Sequence, residues 1–185
     1  MSAISRRFAL PILLPALAAT LTVTACSSTS GTSSGGKAEK AEAAAAASTA
    51  APSNLPAVTN ATNLNEKPSV APGKPPAPTT LQTKDLVVGT GTAATMNNTV
   101  SVRYLGVNYA DGKEFDSSWA SQGSQPVDFP LSGVIPGFAQ GIVGMKVGGR
   151  RQIVIPPSLG YGSQGSGPVQ PNETLVFVVD LVKVS

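Results

Sequence analysis

From about Leu81 onward, apolar and polar positions alternate along the chain with a period of two. Val100, Val102 and Tyr104 alternate with Ser101 and Arg103, and Val127, Phe129 and Leu131 alternate again. That spacing sets one face of a strand against a core and the other toward solvent. Arg150–Ile155 (RRQIVI) and Glu173–Val184 (ETLVFVVDLVKV) read as two further strands. Asp111-Gly112 is a tight-turn dipeptide, after which Lys113–Asp116 restarts the chain. One stretch reads as helix, Ile135–Val143, with Pro136 suited to its first turn and Gly144 to its stop. Most of the 19 glycines also lie beyond Leu81, as many tight turns require. The pattern predicts an α+β domain, a mainly antiparallel sheet with one short helix packed on it.

Upstream the texture differs. Between Ser27 and Thr80, 39 of 54 residues are Ala, Ser, Thr, Gly or Pro, and none is aromatic. So little apolar side chain cannot offset the entropy of ordering the backbone, so residues 26–79 are expected to form a disordered tether. Pro68–Pro78 (PSVAPGKPPAP) favours extended polyproline II within it.

The first residues have the layout of an export signal. Met1–Arg7 is short and cationic, Phe8–Val23 is mostly apolar, and Val23-Thr24-Ala25 precedes Cys26. Interrupted by Pro11 and Pro15, the apolar run falls short of the roughly 20 residues that span a bilayer. Val23–Cys26 resembles a bacterial lipobox, which implies residues 1–25 as a signal peptide and diacylation of Cys26. Two acyl chains would hold the protein stably on a membrane, where one would not. The expectation is an extracytoplasmic protein, lipid-anchored to a bacterial membrane.

Charge and composition remove several classes. The net charge is +3, but residues 81–185 carry seven basic and seven acidic side chains, so the expected domain is neutral. Such a domain lacks the basic face that phosphates need, and nucleic acid is not an expected partner. With no histidine, Ser-His-Asp chemistry and imidazole-ligated metal are excluded. A single cysteine excludes disulfide scaffolds and zinc ribbons. Gly160–Gly165 matches G-x-G-x-x-G, yet Gly167, Pro168 and Pro171 forbid the helix that dinucleotide binding requires. No metal or cofactor is expected.

Five segments in order, VSVRYLG (100–106), DGKEFDSS (111–118), FPLSGVIPGFAQG (129–141), VGGRRQIVIPPSLGYG (147–162) and PNETLVFVVDL (171–181), closely resemble the FKBP-type peptidyl-prolyl isomerases. The resemblance covers roughly Thr80–Ser185 and implies a twisted antiparallel sheet wrapped around one short helix. It also implies a pocket between helix and sheet. Tyr104, the Phe115-Asp116 pair, Val134, Ile135, Phe138, Tyr161 and Phe177 match the family's catalytic positions. Val127 and Val169 fall where the family has further substrate contacts. Two departures stand out: Phe138 replaces the usual tryptophan, and Val127 the usual aromatic. Trp119–Pro126 holds no arginine to pair with Asp116, which leaves Tyr104 as its expected hydrogen-bond donor.

The resemblance implies cis–trans isomerisation of Xaa-Pro bonds in exported proteins, by a monomer whose partners are proline-containing polypeptides and macrolide inhibitors. Such a reaction needs neither histidine nor nucleophile. A second reading is a tethered, non-catalytic module that binds proline-containing or apolar segments in a holdase-like manner.

Overall fold

A computed structural model describes residues 54–121 and 124–185. Two short strands, β1 (Val58–Thr59) and β2 (Ser69–Val70), pair antiparallel and stand apart from the main sheet. That sheet has six antiparallel strands: β3 (Gln82–Val87), β4 (Thr99–Asn108), β5 (Glu114–Ser117), β6 (Val127–Pro130), β7 (Arg150–Ile155) and β8 (Leu175–Val184). Their order is β3-β7-β8-β4-β5, and β6 pairs with the far end of β4 along the edge that β5 also uses. A single turn, α1 (Ser118–Ser121), follows β5, and α2 (Pro136–Ile142) follows β6. Proline opens α2 at its first turn, as expected.

The helix α2 packs on one face of the sheet, here the inner face. Val100, Val102 and Tyr104 of β4, Ile153 and Ile155 of β7, and Leu175, Phe177, Val179 and Leu181 of β8 point to it. The intervening residues Leu105, Val107, Val154, Val176 and Val178 point the other way, and they are also buried. Removing such a side chain from water is worth about 1.5–3 kcal/mol, so the outer face needs a cover of its own. That cover is the segment 54–79.

Leu55, Val58, Val70 and Ala77 lie against the outer face. The segment is also pinned from below by polar side chains of the sheet. Arg150 is fully buried; its Nη1 and Nη2 donate to the carbonyls of Asn60 and Glu66 at 2.5 and 3.2 Å. The same guanidinium grips Asp180 through Nε and Nη2, at 2.5 and 2.7 Å. Gln152 Nε2 donates to the Pro56 carbonyl at 2.9 Å. The expected tether is therefore corrected: residues 54–79 belong to the same folded unit as the sheet and α2. Composition misjudged this stretch because its cohesion comes from backbone carbonyls that accept bonds from distant side chains. The expected signal peptide, Cys26 and residues 27–53 lie outside the described residues. Among the described residues, no helix is long and apolar enough to cross a membrane.

Candidate active site

Four strands and α2 each send an aromatic ring to one place on the inner face. Tyr104 comes from β4, Phe115 from β5, Phe129 from β6, Phe177 from β8 and Phe138 from α2. Phe138 stands edge-on to Phe177 with centroids 5.1 Å apart, and to Phe129 at 6.0 Å. Phe115 meets Phe177 edge-on at 5.5 Å, and Tyr104 meets Phe129 likewise at 5.6 Å. Each such pair adds about 0.5–1.5 kcal/mol beyond its buried area, so the rings hold one another in a fixed apolar arrangement. Gly106 makes room for it: a Cβ there would lie 2.7 Å from Phe115 Cζ and 3.0 Å from Phe177 Cε1. Only glycine lets both rings close over the strand.

Burial divides the cluster into a floor and a rim. Tyr104, Ile135, Phe138 and Phe177 are buried, whereas Val127, Phe129, Phe115, Val134 and Tyr161 are half-buried around them. Val134 and Ile135 link a short 3₁₀ turn at Leu131–Gly133 to α2. The Ile135 carbonyl accepts from the amides of Phe138 and Ala139 at 3.0 and 3.2 Å. Its own N–H finds no backbone carbonyl among the described residues and remains available as a donor. Tyr161 sits just past the 3₁₀ turn Pro157–Leu159.

One carboxylate borders the rings. The Tyr104 hydroxyl donates to Asp116 Oδ2 at 2.7 Å, and the Ser117 amide donates to Oδ1 at 2.8 Å. Burial, then the hydrogen bond to Asp116 and the charge of that carboxylate, push the Tyr104 hydroxyl pKa far above the ordinary tyrosine value. Burial and the same carboxylate also raise Tyr161. Both hydroxyls therefore stay protonated and able to donate at neutral and mildly alkaline pH. Tyr104 is the donor expected for Asp116 in the absence of a neighbouring arginine.

The structure thus brings together Tyr104, Phe115, Asp116, Val127, Val134, Ile135, Phe138, Tyr161 and Phe177. Val169 stands differently. It is 4 % exposed and packs into the inner core, its N–H and C=O both paired with Ser166, so it presents no open face of its own. Phe129 completes the ring of aromatics, an addition to the site residues that the sequence predicts. The signal was present: Phe129 alternates with Val127 and so shares its face. Among the described residues, no group of three or more His, Cys, Asp or Glu could hold a metal ion. The Gly160–Gly165 loop is followed by a small bridge between Ser166 and Val169 instead of a helix, as its glycines and prolines predict.

The pattern of the family described as FKBP-type peptidyl-prolyl cis-trans isomerase matches residues 90–182. A probable FK506-binding protein of Corynebacterium glutamicum is 48% identical over 117 residues, covering 63% of this chain and 98% of the relative. An FK506-binding protein of Streptomyces anulatus is 49% identical over 125 residues, covering 64% of this chain and 98% of its own length. The crystal structure of FkpA from Escherichia coli superposes with a TM-score of 0.54 at 41% identity, covering 60% of this chain and 53% of that one. With its α+β fold, aromatic floor and bordering tyrosines, the chain belongs to the FKBP-type peptidyl-prolyl cis-trans isomerases and catalyses the cis–trans isomerisation of prolyl peptide bonds.

Proposed function

We propose that the prolyl ring of a substrate enters the aromatic cluster and that the reaction is driven by desolvation and by holding the twisted amide. The observation that carries this reading is the ring of aromatics closed around Phe138 and Phe177, bordered by hydrogen-bond donors. The barrier to rotation, about 18–20 kcal/mol, is the lost resonance of the C–N bond. A planar amide is more charge-separated than a twisted one, so a dry apolar surface favours the twisted form and binds it preferentially. Phe138, Phe177, Phe115 and Phe129 take the ring in this scheme. The Ile135 N–H and the Tyr161 hydroxyl hold flanking carbonyls. Asp116, oriented by Tyr104, sets the local field at the rim. Uncatalysed exchange takes tens of seconds, so a turnover of roughly 1–1,000 per second asks for about 3–7 kcal/mol of barrier lowering.

The substrates, on this reading, are exported polypeptides, met by an enzyme attached to a bacterial membrane through acylated Cys26. The support is the Val23–Cys26 motif that follows an apolar run. Cys26→Ser is expected to release the protein from the membrane fraction with isomerase activity intact. Unchanged partitioning would refute the anchor.

Tyr161→Phe tests the pocket. It removes one hydroxyl, keeps the packing and is expected to cost roughly 1–2 kcal/mol in kcat/KM for a prolyl peptide. Parent activity in Tyr161→Phe and in Asp116→Ala alike would move the chemistry elsewhere. Peptide binding without turnover in the parent would favour the holdase-like module.

A further inference from the structure

The segment 54–79 touches the domain in a second place besides the buried Arg150 pin, at the turn that leads into β5. The Tyr109 hydroxyl lies 2.8 Å from the carbonyls of both Asn54 and Lys74, and the Gly73 amide donates to the Tyr109 carbonyl at 2.7 Å. A Cβ on Gly73 would come within 2.2 Å of the Tyr109 ring, so the segment lies flat on that ring only because residue 73 has no side chain. Beyond the turn, Lys67 Nζ meets Glu114 Oε2 at 2.6 Å.

What these contacts hold is a short strand at the edge of the sheet. β5 has four residues and pairs only with β4. Its register is broken where Gly106 faces Asp116 and Val107 faces Glu114, which leaves Phe115 as the bulged residue. A short edge strand with a bulge has little pairing of its own to fix it. Yet β5 supplies both Phe115 and Asp116 to the site.

We propose that the segment 54–79 is a positioning element of the isomerase: by clamping the Asn108–Lys113 turn and Glu114, it fixes Phe115 and Asp116 at the pocket. Lys67, Gly73 and Tyr109 are positioning residues in this scheme and touch no substrate. The inference rests on the pocket assignment proposed above. Loosening the clamp lets β5 fluctuate while leaving the floor of Phe138 and Phe177 in place. Substrate binding should therefore weaken more than turnover slows.

The test uses the full-length chain carrying Gly73→Leu, Tyr109→Phe or Lys67→Ala, with Lys67→Arg as the conservative rescue. Two quantities are read: hydrogen exchange of the Lys113–Ser117 amides, and KM and kcat for a prolyl peptide. For Gly73→Leu and Tyr109→Phe, exchange in β5 and KM are both expected to rise about three- to tenfold, with kcat within about twofold of the parent. Lys67→Ala should move both quantities in the same direction by less, as befits an exposed pair, and Lys67→Arg should restore them. Free exchange of the segment with β5 protection and KM unchanged would overturn the proposal, as would a raised KM with no change in β5. If Gly73→Leu does not fold, the single-oxygen change in Tyr109→Phe decides the matter. Asp116→Ala measured in parallel separates the two readings. Parent activity there would sink the pocket assignment, while the exchange data would still report whether the segment holds β5.

Discussion

Replacing Tyr104 by phenylalanine deletes one oxygen atom and leaves a ring whose neighbours do not depend on it. The contacts with Phe129, Phe138 and Phe177, at centroid distances of 5.6, 6.5 and 6.4 Å, involve the ring alone. What disappears is the 2.7 Å bond to Asp116. A hydrogen bond to a charged group is worth about 1.5–3 kcal/mol net. Asp116 is exposed and keeps the Ser117 amide, so water can replace the lost donor and the cost falls at the lower end, about 1.5 kcal/mol. Urea unfolding at neutral pH should show this as a lower midpoint with an unchanged slope. In a double-mutant cycle with Asp116→Asn, the pair should couple by about 1 kcal/mol. Alkaline pH gives an independent reading. Because the folded-state pKa of Tyr104 is raised, both states hold the proton below about pH 10, and above it only the unfolded chain releases it. Stability should therefore fall as pH rises beyond about 10, with Tyr104 contributing about 1.4 kcal/mol per pH unit. Tyr104→Phe should remove that contribution to the slope. Additive single-mutant costs, together with an alkaline slope identical to the parent's, would refute the idea that Tyr104 and Asp116 act as a unit.

Arg150→Met leaves Asp180 buried without its partner and should cost about 3–5 kcal/mol in chemical unfolding, with Arg150→Met/Asp180→Leu recovering much of that loss. A fragment beginning at residue 80 should bind a hydrophobic dye through the bared Val107, Val154, Val176 and Val178, whereas one beginning at residue 54 should not. Phe138→Trp enlarges the floor at the centre of the aromatic cluster and is expected to retain or raise kcat/KM; a drop of more than about tenfold would show that the floor is closed to larger rings.

The sheet and helix were legible because their residues carry local signals. Alternation placed β4 and β6, Asp111-Gly112 placed the turn before β5, and Pro136 placed the start of α2 within a residue. The aromatic site was legible for a different reason, the order of five motifs, and alternation alone could have added Phe129. The cover on the outer face escaped because an Ala- and Pro-rich stretch carries no signal of what binds its carbonyls. The clue lay instead in β8. Its run Leu175–Leu181 is apolar at six of seven positions, where a strand wet on one face would alternate. Such a run asks for a layer on each side of the sheet, and α2 covers only one. Arg150 and Gln152 gave a second clue: two long polar side chains share the outer face with Val154, and their hydrogen bonds reach beyond Asp180 to the carbonyls of Asn60, Glu66 and Pro56.

The buried pin also constrains the order of assembly. Arg150 reaches an acceptor 90 residues earlier in the chain, and Gln152 reaches one 96 residues earlier. Closing loops of that length is entropically slow relative to forming neighbouring hairpins. During synthesis the residues at 54–79 emerge first, yet their docking face does not exist until β7 and β8 have been made and paired. Until then the segment that will cover the face waits upstream with nothing to bind. A chain arrested between β7 and β8 would lack the strand that joins β7 to β4, so both the outer face and the docking of residues 54–79 await β8.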